Sequence, residues 1–282
     1  MGVISEQLSR PAPVSIDVGK YNVLGVMVDG VDYDAVIAHV LAAARERRPL
    51  NLTALAVHGV MTGVRDPRHR ARLNAFDIVA PDGQPVRWAL NLLYNAGLSD
   101  WVSGPELTAR VLSRMSDEGL PVYLYGSTPE IVECLSVSLG VAFPALHVVG
   151  AEPSKFRDST SGELAAIANR INGCGARLLL VGLGCPRQEI FAHAMRSLVD
   201  LPVMAVGAAF DYHAGRLRPA PRWMQRYGLA WLFRLIREPR RLWRRYLVFN
   251  AEYLVRLAAQ KLGLWRPEVA APMYHVSGRI AV

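Results

Sequence analysis

The sequence predicts an α/β fold in which a mostly parallel sheet carries helices on both faces. Short apolar runs alternate along the chain with longer segments of 3.6-residue periodicity. This alternation is typical of βαβ units, because parallel neighbouring strands need a crossover connection, usually a helix. The 282 residues, 51% hydrophobic and 20% charged, can bury a large core and are incompatible with wholesale disorder. After Val206 the pattern changes, and from Ala220 onward it predicts helices only.

The predicted strands are apolar runs bounded by turn residues, and the predicted helices lie between them. The strands are expected at 22–28, 50–57, 76–80, 121–125, 146–149, 177–181 and 202–206. The helices are expected at 33–47, 67–74, 84–96, 105–118, 129–139, 162–172 and 186–198. Pro129 and Pro186 stand where a first helical residue is expected, and Thr128 precedes the former as a capping residue. A sheet of this kind binds ligands outside the carboxyl ends of its strands.

Positive charge is concentrated near the C-terminus. The chain carries a net charge of +8, but residues 216–266 alone hold 13 basic and two acidic side chains, so the remainder sums to −3. Of the 32 basic residues 29 are Arg, which binds phosphate in a bidentate manner, although a GC-rich genome would produce the same bias. We therefore divide the chain into an N-terminal tail (1–20), an α/β core (21–217), a basic helical appendage (218–266) and a C-terminal tail (267–282).

The appendage pairs its Arg residues with aromatic side chains. Four of the six Trp residues fall in it, and several Arg residues recur there at helical spacing. Such helices are typical of a membrane interface; the alternative is a helical subdomain with an aromatic core and a solvated Arg face. Three widely spaced Cys residues and the lack of an apolar leader predict a cytoplasmic protein. The longest uncharged stretch, 134–151, is interrupted by polar residues and Pro144, so we expect peripheral association and no membrane span.

Two loops that follow predicted strands contain residues suited to chemistry. Gly182 and Gly184 precede a predicted helix start, where backbone N–H groups could face a diphosphate, and Gln188 and Glu189 follow in its first turn. A tight strand-to-helix turn is the structural alternative, since the pattern is not the dinucleotide-binding G-x-G-x-x-G. Asp82, before Gly83, could serve as a general base, or could form a turn or a helix cap.

Further candidates lie at other strand ends. Thr53 and His58 could present a hydroxyl and an imidazole to the same crevice, and Asp211 could face the donor or brace its loop. No group of His, Cys and Asp has metal-ligand spacing, and there is no D-x-D segment, so neither a metal nor a cofactor is predicted.

Taken in order, these motifs resemble the WecG/TagA/CpsF family (glycosyltransferase family 26) from about Val23 to about Leu254. The resemblance depends on an ordered set of short motifs rather than on any one of them. They are Thr53, Pro81-Asp-Gly83, Gly104-Pro-Glu-Leu107, Gly182-Leu-Gly-Cys-Pro-Arg-Gln-Glu189, Val206-Gly-Ala-Ala-Phe-Asp211 with Ala214-Gly215, Ala220-Pro-Arg-Trp223, Gly228-Leu-Ala-Trp-Leu-Phe-Arg234 and Glu238-Pro-Arg-Arg-Leu-Trp-Arg-Arg-Tyr246. The amino-acid sequences of the segments around Asp82 and Gln188 are most similar to those of the exopolysaccharide, GumM-like branch.

The resemblance implies a Rossmann-like core and an inverting, metal-independent glycosyltransferase. Such an enzyme moves a hexose or N-acetylhexosamine from a UDP-sugar to a polyprenyl-diphosphate-linked sugar at the cytoplasmic leaflet, and members often form homo-oligomers. It assigns the general base to Asp82, an active-site hydroxyl to Thr53 and donor binding to Gln188. It also implies that the basic appendage, from about Ala220, closes the site and touches the membrane, and that its diphosphate contacts are Arg234, Arg241 and Arg244.

Three positions depart from the family pattern, and two other functions stay open at the level of sequence. The usual T-x-N ends in Leu55, Trp101 replaces a common Arg before V-x-G, and Ala230 replaces the Glu of G-L-E-W. A Rossmann-type enzyme with a nucleotide cofactor would also use a strand-Gly-helix loop. A noncatalytic nucleic-acid-binding protein would explain the Arg-rich helices but would leave Asp82 and Gln188 without a role.

Overall fold

A computed structural model describes residues 15–155, 157 and 159–272, except for the side chains of Arg241, Arg244 and Arg245. Its strands are β1 (Asp17–Val23), β2 (Val26–Val31), β3 (Leu50–Leu55), β4 (Ile78–Pro81), β5 (Val122–Gly126), β6 (Val148–Glu152), β7 (Leu178–Gly182) and β8 (Pro202–Ala205). Its helices are α1 (Tyr33–Glu46), α2 (Val57–Arg65), α3 (Pro67–Asn74), α4 (Gln84–Tyr94), α5 (Gly104–Asp117), α6 (Pro129–Ala142), α7 (Ser161–Gly173), α8 (Arg187–Met195), α9 (Ala209–His213), α10 (Arg222–Arg226), α11 (Ala230–Arg237) and α12 (Pro239–Lys261).

The core is a six-stranded parallel sheet in the order β4-β3-β8-β7-β5-β6. Strand β7 shows why helices must cover both faces. Leu178 and Leu180 belong to the hydrophobic cluster on one face, whereas Leu179 and Val181 belong to the cluster on the other. Because side chains alternate along a strand, an apolar run of this kind is stable only between two helical layers. The predicted Rossmann-like α/β class is confirmed.

Two predicted strands were wrong in detail. Residues 22–28 do not form a single strand. They contain the turn of the antiparallel hairpin β1–β2, because the chain reverses at Leu24 and Gly25, which have positive φ angles of 57° and 93°. The Asn22 side chain accepts a hydrogen bond from the Gly25 N–H at 2.6 Å and closes this turn. The run 50–57 ends as a strand at Leu55, and its last residue, Val57, begins helix α2, which was not predicted. An uninterrupted apolar run does not distinguish a buried strand from the start of a buried helix.

The ends of the chain also differ from the predicted tails where the structure describes them. β1 begins at Asp17, so an ordered strand starts inside the segment predicted as a tail. Beyond the appendage, the Pro267 carbonyl accepts a hydrogen bond from the Asn22 side chain at 3.0 Å, and the Ala270 carbonyl accepts one from Asn74 at 3.1 Å. Residues 1–14 and 273–282, the outer parts of both predicted tails, lie outside the described residues.

The segment after Ala220 is helical throughout its regular structure, as predicted, and its last helix lies against the core. Pro239 occupies the first turn of α12, where its missing N–H costs no helical hydrogen bond. Tyr253 of α12 is 1% exposed and donates a hydrogen bond to the Pro85 carbonyl at 3.1 Å. Further along α12, the Gln260 side chain bonds the backbone of Leu24 and Asn22 in the hairpin. Among the described helices, none combines the length and apolar character needed to cross a bilayer.

Candidate active site

A cavity of about 1300 Å³ opens at the carboxyl ends of the parallel strands, where such sheets bind ligands. The residues that follow β3, β4, β5, β7 and β8 form one side of it. Helix α11 and the first half of α12 form the other side. These two helices contribute Ala230, Trp231, Arg234, Tyr246 and Asn250, and Glu238, the residue between them, also borders the cavity. The cavity is therefore enclosed between the α/β core and the basic appendage.

Asp82 lies in the wall of this cavity, directly after β4. Its own N–H donates to the Leu55 carbonyl at 3.2 Å, and Gly83, with φ of 83°, caps helix α4 in its place. The carboxylate of Asp82 therefore does not cap α4. It accepts a hydrogen bond from the N–H of Gly104, the first residue of α5. Burial raises the pKa of Asp82 to about 7, while this N–H and the positive charge of Arg234 favour the ionised form.

Arg234 brings positive charge from the appendage to the same cavity. Its Nε atom is buried and has no hydrogen-bond partner among the described residues. Its charge also lowers the pKa of Tyr212, although burial has the larger effect and leaves that pKa raised. An Arg side chain in a half-enclosed cavity with an unpaired donor is suited to bind an oxyanion such as a diphosphate. The other two predicted diphosphate contacts, Arg241 and Arg244, have side chains outside the described part of the structure.

Thr53, Gln188 and Glu189 form a buried polar network beside the cavity. The Thr53 hydroxyl donates to Glu189 Oε1 at 3.1 Å, and Gln188 Nε2 donates to the same oxygen at 2.8 Å. Thr53 and Glu189 are fully buried, and Gln188 is nearly so. Burial raises the pKa of Glu189, and the hydrogen bonds from Gln188 and Thr53 oppose this rise. Thr53 therefore fixes other site residues, and the structure does not place it against the proposed base, Asp82.

The loop between β7 and α8 is held by the side chain of Gln188. Gly184 adopts a positive φ of 75°, and its N–H donates to Gln188 Oε1 at 3.1 Å. Gly182 ends β7 against the ring of Phe210, and a side chain there would overlap that ring. Gly182, Gly184 and Gln188 all border the cavity. The amide of Gln188 thus holds the loop through its oxygen and Glu189 through its nitrogen, and the loop borders the cavity in which a donor is predicted to bind.

The two remaining predicted residues also line the cavity. Asp211 lies on the short helix α9, and its carbonyl accepts the N–H groups of Arg216 and Leu217, which supports the alternative in which this segment braces a loop. His58 lies in the first turn of α2, and its ring stacks on Phe249 of α12 with the ring centroids 5.2 Å apart. His58 therefore connects the cavity wall to the appendage.

Sequence reasoning missed several residues that organise the base. The Ser103 N–H donates to the Tyr33 hydroxyl at 2.9 Å, which holds the residue just before the Gly104 N–H that binds Asp82. Tyr212 lines the cavity next to Asp211. The motif Gly104-Pro-Glu-Leu107 was a sequence signal for the segment that binds Asp82, but its distance from Asp82 along the chain did not indicate that Gly104 and Asp82 are in contact. Tyr33 had no such signal, because it is 70 residues from its partner.

A comparison with protein-family models now decides the class of enzyme. The model described as the glycosyl transferase WecG/TagA/CpsF family matches residues 21–267. The chain belongs to the WecG/TagA/CpsF family of glycosyltransferases. This family acts in cell-surface polysaccharide biosynthesis and uses sugar-nucleotide donors with lipid-linked acceptors. Membership in this family does not support the two alternatives left open by the sequence, a nucleotide-cofactor enzyme of another class and a noncatalytic nucleic-acid-binding protein.

The cavity of this WecG/TagA/CpsF member is also bordered by the three positions that we interpret as departures from the family pattern. Leu55, Trp101 and Ala230 all contribute to the lining. They come from three separate parts of the fold: the end of β3, the loop before α5 and the start of α11. The departures are therefore gathered where substrates would bind and are not scattered over the surface.

Proposed function

We propose that this protein transfers a hexose or an N-acetylhexosamine from a UDP-sugar to a polyprenyl-diphosphate-linked sugar, with inversion at the anomeric carbon. The observation that carries the proposal is the pairing of Asp82, on the core side of the cavity, with Arg234 on the appendage side. A base and a diphosphate-binding cation within one enclosed cavity are the two groups that such a transfer requires. The product would enter exopolysaccharide or another cell-surface polysaccharide.

In this mechanism Asp82 accepts the proton of an acceptor hydroxyl. As that oxygen forms a bond to the anomeric carbon, the bond from this carbon to the UDP oxygen breaks on the opposite face. The electron pair of the broken bond leaves with UDP, so the configuration is inverted. A pKa of about 7 suits this role, because a carboxyl group that is about half ionised at neutral pH, and whose carboxylate is a stronger base than that of an ordinary Asp, transfers protons efficiently.

Negative charge develops on the departing diphosphate, and Arg234 is the group placed to stabilise it. The proposal assigns this task to side chains and backbone N–H groups, with no metal or cofactor in the transfer step. The loop from Gly182 to Gln188 would hold the donor, and Gln188 would act mainly by fixing that loop. Leu55, Trp101 and Ala230 are the positions we expect to select among donor and acceptor sugars.

The appendage supports a peripheral location at the inner face of the cell membrane. Trp243 and Leu247 of α12 are 47% and 55% exposed and lie one helical turn apart, so they share a face of the helix. Exposed aromatic and aliphatic side chains beside many Arg residues are suited to an interface with anionic lipid. The acceptor's polyprenyl chain would lie in the same bilayer.

A transfer assay with a panel of radiolabelled UDP-sugars and short-chain polyprenyl-diphosphate sugars tests this function. We expect product from one or a few UDP-sugars, and nuclear magnetic resonance of the product should show the anomeric configuration opposite to that of the donor. Asp82→Asn removes the proposed base, and Asp200→Asn serves as its matched control. Asp200 is exposed and lies just before β8, at the amino ends of the strands and so on the side of the sheet opposite the cavity. Retention of configuration, or no transfer from any UDP-sugar, would contradict the proposal.

A further inference from the structure

Three potential metal ligands from two distant parts of the sequence meet beside the loop after β7. They are His69 of α3, Cys185 of the loop and Glu189 of α8, and one ligand atom from each lies within 4.8 Å of the other two. His69 is more than 100 residues from both Cys185 and Glu189, which explains why no metal-ligand spacing was recognised in the sequence. Neither Asp82 nor Arg234 belongs to this group.

The imidazole of His69 has unmet hydrogen-bonding capacity in the interior of the protein. The residue is 1% exposed, and neither Nδ1 nor Nε2 has a hydrogen-bond partner among the described residues. A buried polar atom without a partner costs about 1–3 kcal/mol relative to one that is satisfied. Most buried imidazoles in proteins are paired, so this one calls for a ligand.

Glu189 divides its two carboxylate oxygens between different tasks. Oε1 accepts the hydrogen bonds from Thr53 and Gln188, whereas Oε2 is buried and has no partner among the described residues. Metal-binding carboxylates are commonly oriented in this way, with one set of hydrogen bonds fixing the group whose other oxygen binds the ion. The Cys185 thiol interacts with the same carboxyl group, which brings the third potential ligand to it.

We propose that His69, Cys185 and Glu189 bind a divalent transition metal ion, with Zn²⁺ as the ion that this set of ligands fits best. A nitrogen, a sulfur and an oxygen ligand are all accepted by Zn²⁺, at bond lengths of about 2.0–2.3 Å. Ligand atoms around such an ion lie about 3.3–3.8 Å apart, a spacing that follows from tetrahedral geometry at those bond lengths. Because the three atoms already lie within 4.8 Å of one another, their separations need to shorten by no more than about 1–1.5 Å to reach that spacing.

Charge and access are consistent with this assignment. When the ion binds, the thiol of Cys185 loses its proton to solvent, and the thiolate and the Glu189 carboxylate together neutralise the two positive charges of the ion. A neutral complex avoids the large cost of burying an isolated charge. Cys185 and Glu189 also border the cavity, so water could supply a fourth ligand and the ion has a path of entry.

The ion would stabilise the loop and would take no part in the transfer step. It joins α3 to the loop and to the first turn of α8, and the same Glu189 anchors Thr53 and Gln188. Metal binding is therefore expected to fix the segment that borders the donor side of the cavity.

The test uses the full-length chain, stripped with a chelator and then titrated with Co²⁺ as a spectroscopic probe. We expect one equivalent to produce a thiolate-to-cobalt charge-transfer band and the intense visible bands of tetrahedral Co²⁺, and Zn²⁺ to displace both. In Cys185→Ser the charge-transfer band should be lost, and the affinity for Zn²⁺ should fall by at least about tenfold. His69→Gln should weaken binding while leaving the charge-transfer band. Cys174→Ser, at another half-buried cysteine, is the matched control and should bind as the wild type does.

A second measurement avoids the variants, in case they fold poorly. In the wild-type protein Zn²⁺ should slow the alkylation of Cys185 by iodoacetamide, followed by peptide mass spectrometry, and should leave the rates at Cys134 and Cys174 unchanged. Absence of the charge-transfer band in the wild type, its persistence in Cys185→Ser, or equal alkylation of Cys185 with and without Zn²⁺ would each overturn the proposal. The proposed sugar transfer is independent of this result.

Discussion

The carboxyl group of Asp82 is where the chemistry of the site and the stability of the fold oppose each other. Burial disfavours its charge, while the Gly104 N–H and Arg234 favour it. The balance leaves a pKa of about 7, against 3.8 for an ordinary Asp. In the folded protein the group thus binds a proton over a pH range in which the unfolded chain has already released it, so the ionised form of the base costs stability.

This conflict predicts that Asp82→Asn stabilises the protein in a pH-dependent way. Below about pH 3 the folded and unfolded states of the wild type are both mostly protonated at this position, so the wild type and the variant should unfold alike. The wild type should lose stability relative to the variant as the pH rises from about 4 to about 7, and the difference should then level off. Scanning calorimetry between pH 4 and pH 8 measures it, as a higher melting temperature of the variant at pH 8. A variant that is less stable than the wild type at pH 8 would show that Asp82 is not held against its charge.

Thr53 is expected to act through Glu189 and not on the substrate. Thr53→Val keeps the volume but removes the donor at 3.1 Å from Glu189 Oε1, so we expect a loss of about 1–2 kcal/mol in the free energy of unfolding. The KM for the donor should rise because the Gln188 loop loses support. Thr53→Ser keeps the hydroxyl and should restore both properties toward the wild type. Urea denaturation and steady-state kinetics provide the measurements, and wild-type values in Thr53→Val would contradict this role.

The sequence was informative about single residues where a strand ends in a turn, and less so elsewhere. The position of Asp82 in the cavity wall could be predicted, because a carboxylate between a buried parallel strand and a glycine lies at the carboxyl ends of the strands, where such sheets bind ligands. The orientation of Thr53 and Gln188 could not, because both lie at that edge and only packing decides whether a side chain faces the cavity or the interior. Their shared contact with Glu189 depends on a separation of 136 residues between Thr53 and Glu189.

At the scale of elements, proline and capping residues made helix starts predictable. The missed hairpin and the missed helix both lie in apolar runs that no turn or capping residue interrupts. Pro67 and Pro129 begin α3 and α6 as predicted. The hairpin β1–β2 was missed because Leu24, an ordinary apolar residue, occupies a left-handed conformation at its turn. Helix α2 was missed because Val57 continues the apolar run of β3 without a polar cap, and Ala56 provides no side chain for one.

Tyr253 is a buried side chain that helps to attach helix α12 to the core, together with contacts such as those of Gln260 and Phe249. Removal of a large buried side chain costs about 3–5 kcal/mol, so Tyr253→Ala should release α12 from α4 and open the cavity. We expect trypsin to cleave the Arg-rich segment 222–256 faster in this variant, and the transfer rate to fall because Arg234 is displaced. Leu254→Ala, at the adjacent 61% exposed position, is the matched control and should change neither property. Equal cleavage of Tyr253→Ala and the wild type would show that α12 is held by other contacts.

At the scale of the whole molecule, the net charge of +8 is the sum of two unlike parts. Residues 216–266 carry +11 and the remainder carries −3, and the cavity lies between helices of the first part and the sheet of the second. The sequence alone predicted this division of charge. The family resemblance implied that the basic segment closes the site. Composition and spacing alone could not predict it, because the contacts involved, such as Tyr253 with Pro85 and His58 with Phe249, join residues far apart in the chain.

The charge and the exposed face of α12 predict binding to anionic vesicles. Binding should weaken as salt rises, because screening shortens the reach of the Arg charges. Trp243→Ala combined with Leu247→Ala should weaken it further by removing the exposed apolar side chains. Val137→Ala combined with Val141→Ala provides the control, since these residues are 65% and 78% exposed on α6 but belong to no basic segment. Vesicle co-sedimentation measures the effect of salt and of each double variant on binding. An equal loss of vesicle binding in the two double variants would contradict a specific membrane-binding face on α12.

The central claim is that Asp82 acts as the base in sugar transfer, and the pH dependence of single-turnover transfer tests it most directly. With the UDP-sugar and lipid-linked acceptor identified by the panel, the wild-type rate should rise with pH and level off above about pH 7, as the buried carboxyl group ionises. Asp82→Asn should remain folded, react about 10²–10⁴-fold more slowly and lack this rise. A variant that transfers sugar at the wild-type rate, with the same dependence on pH, would contradict the claim.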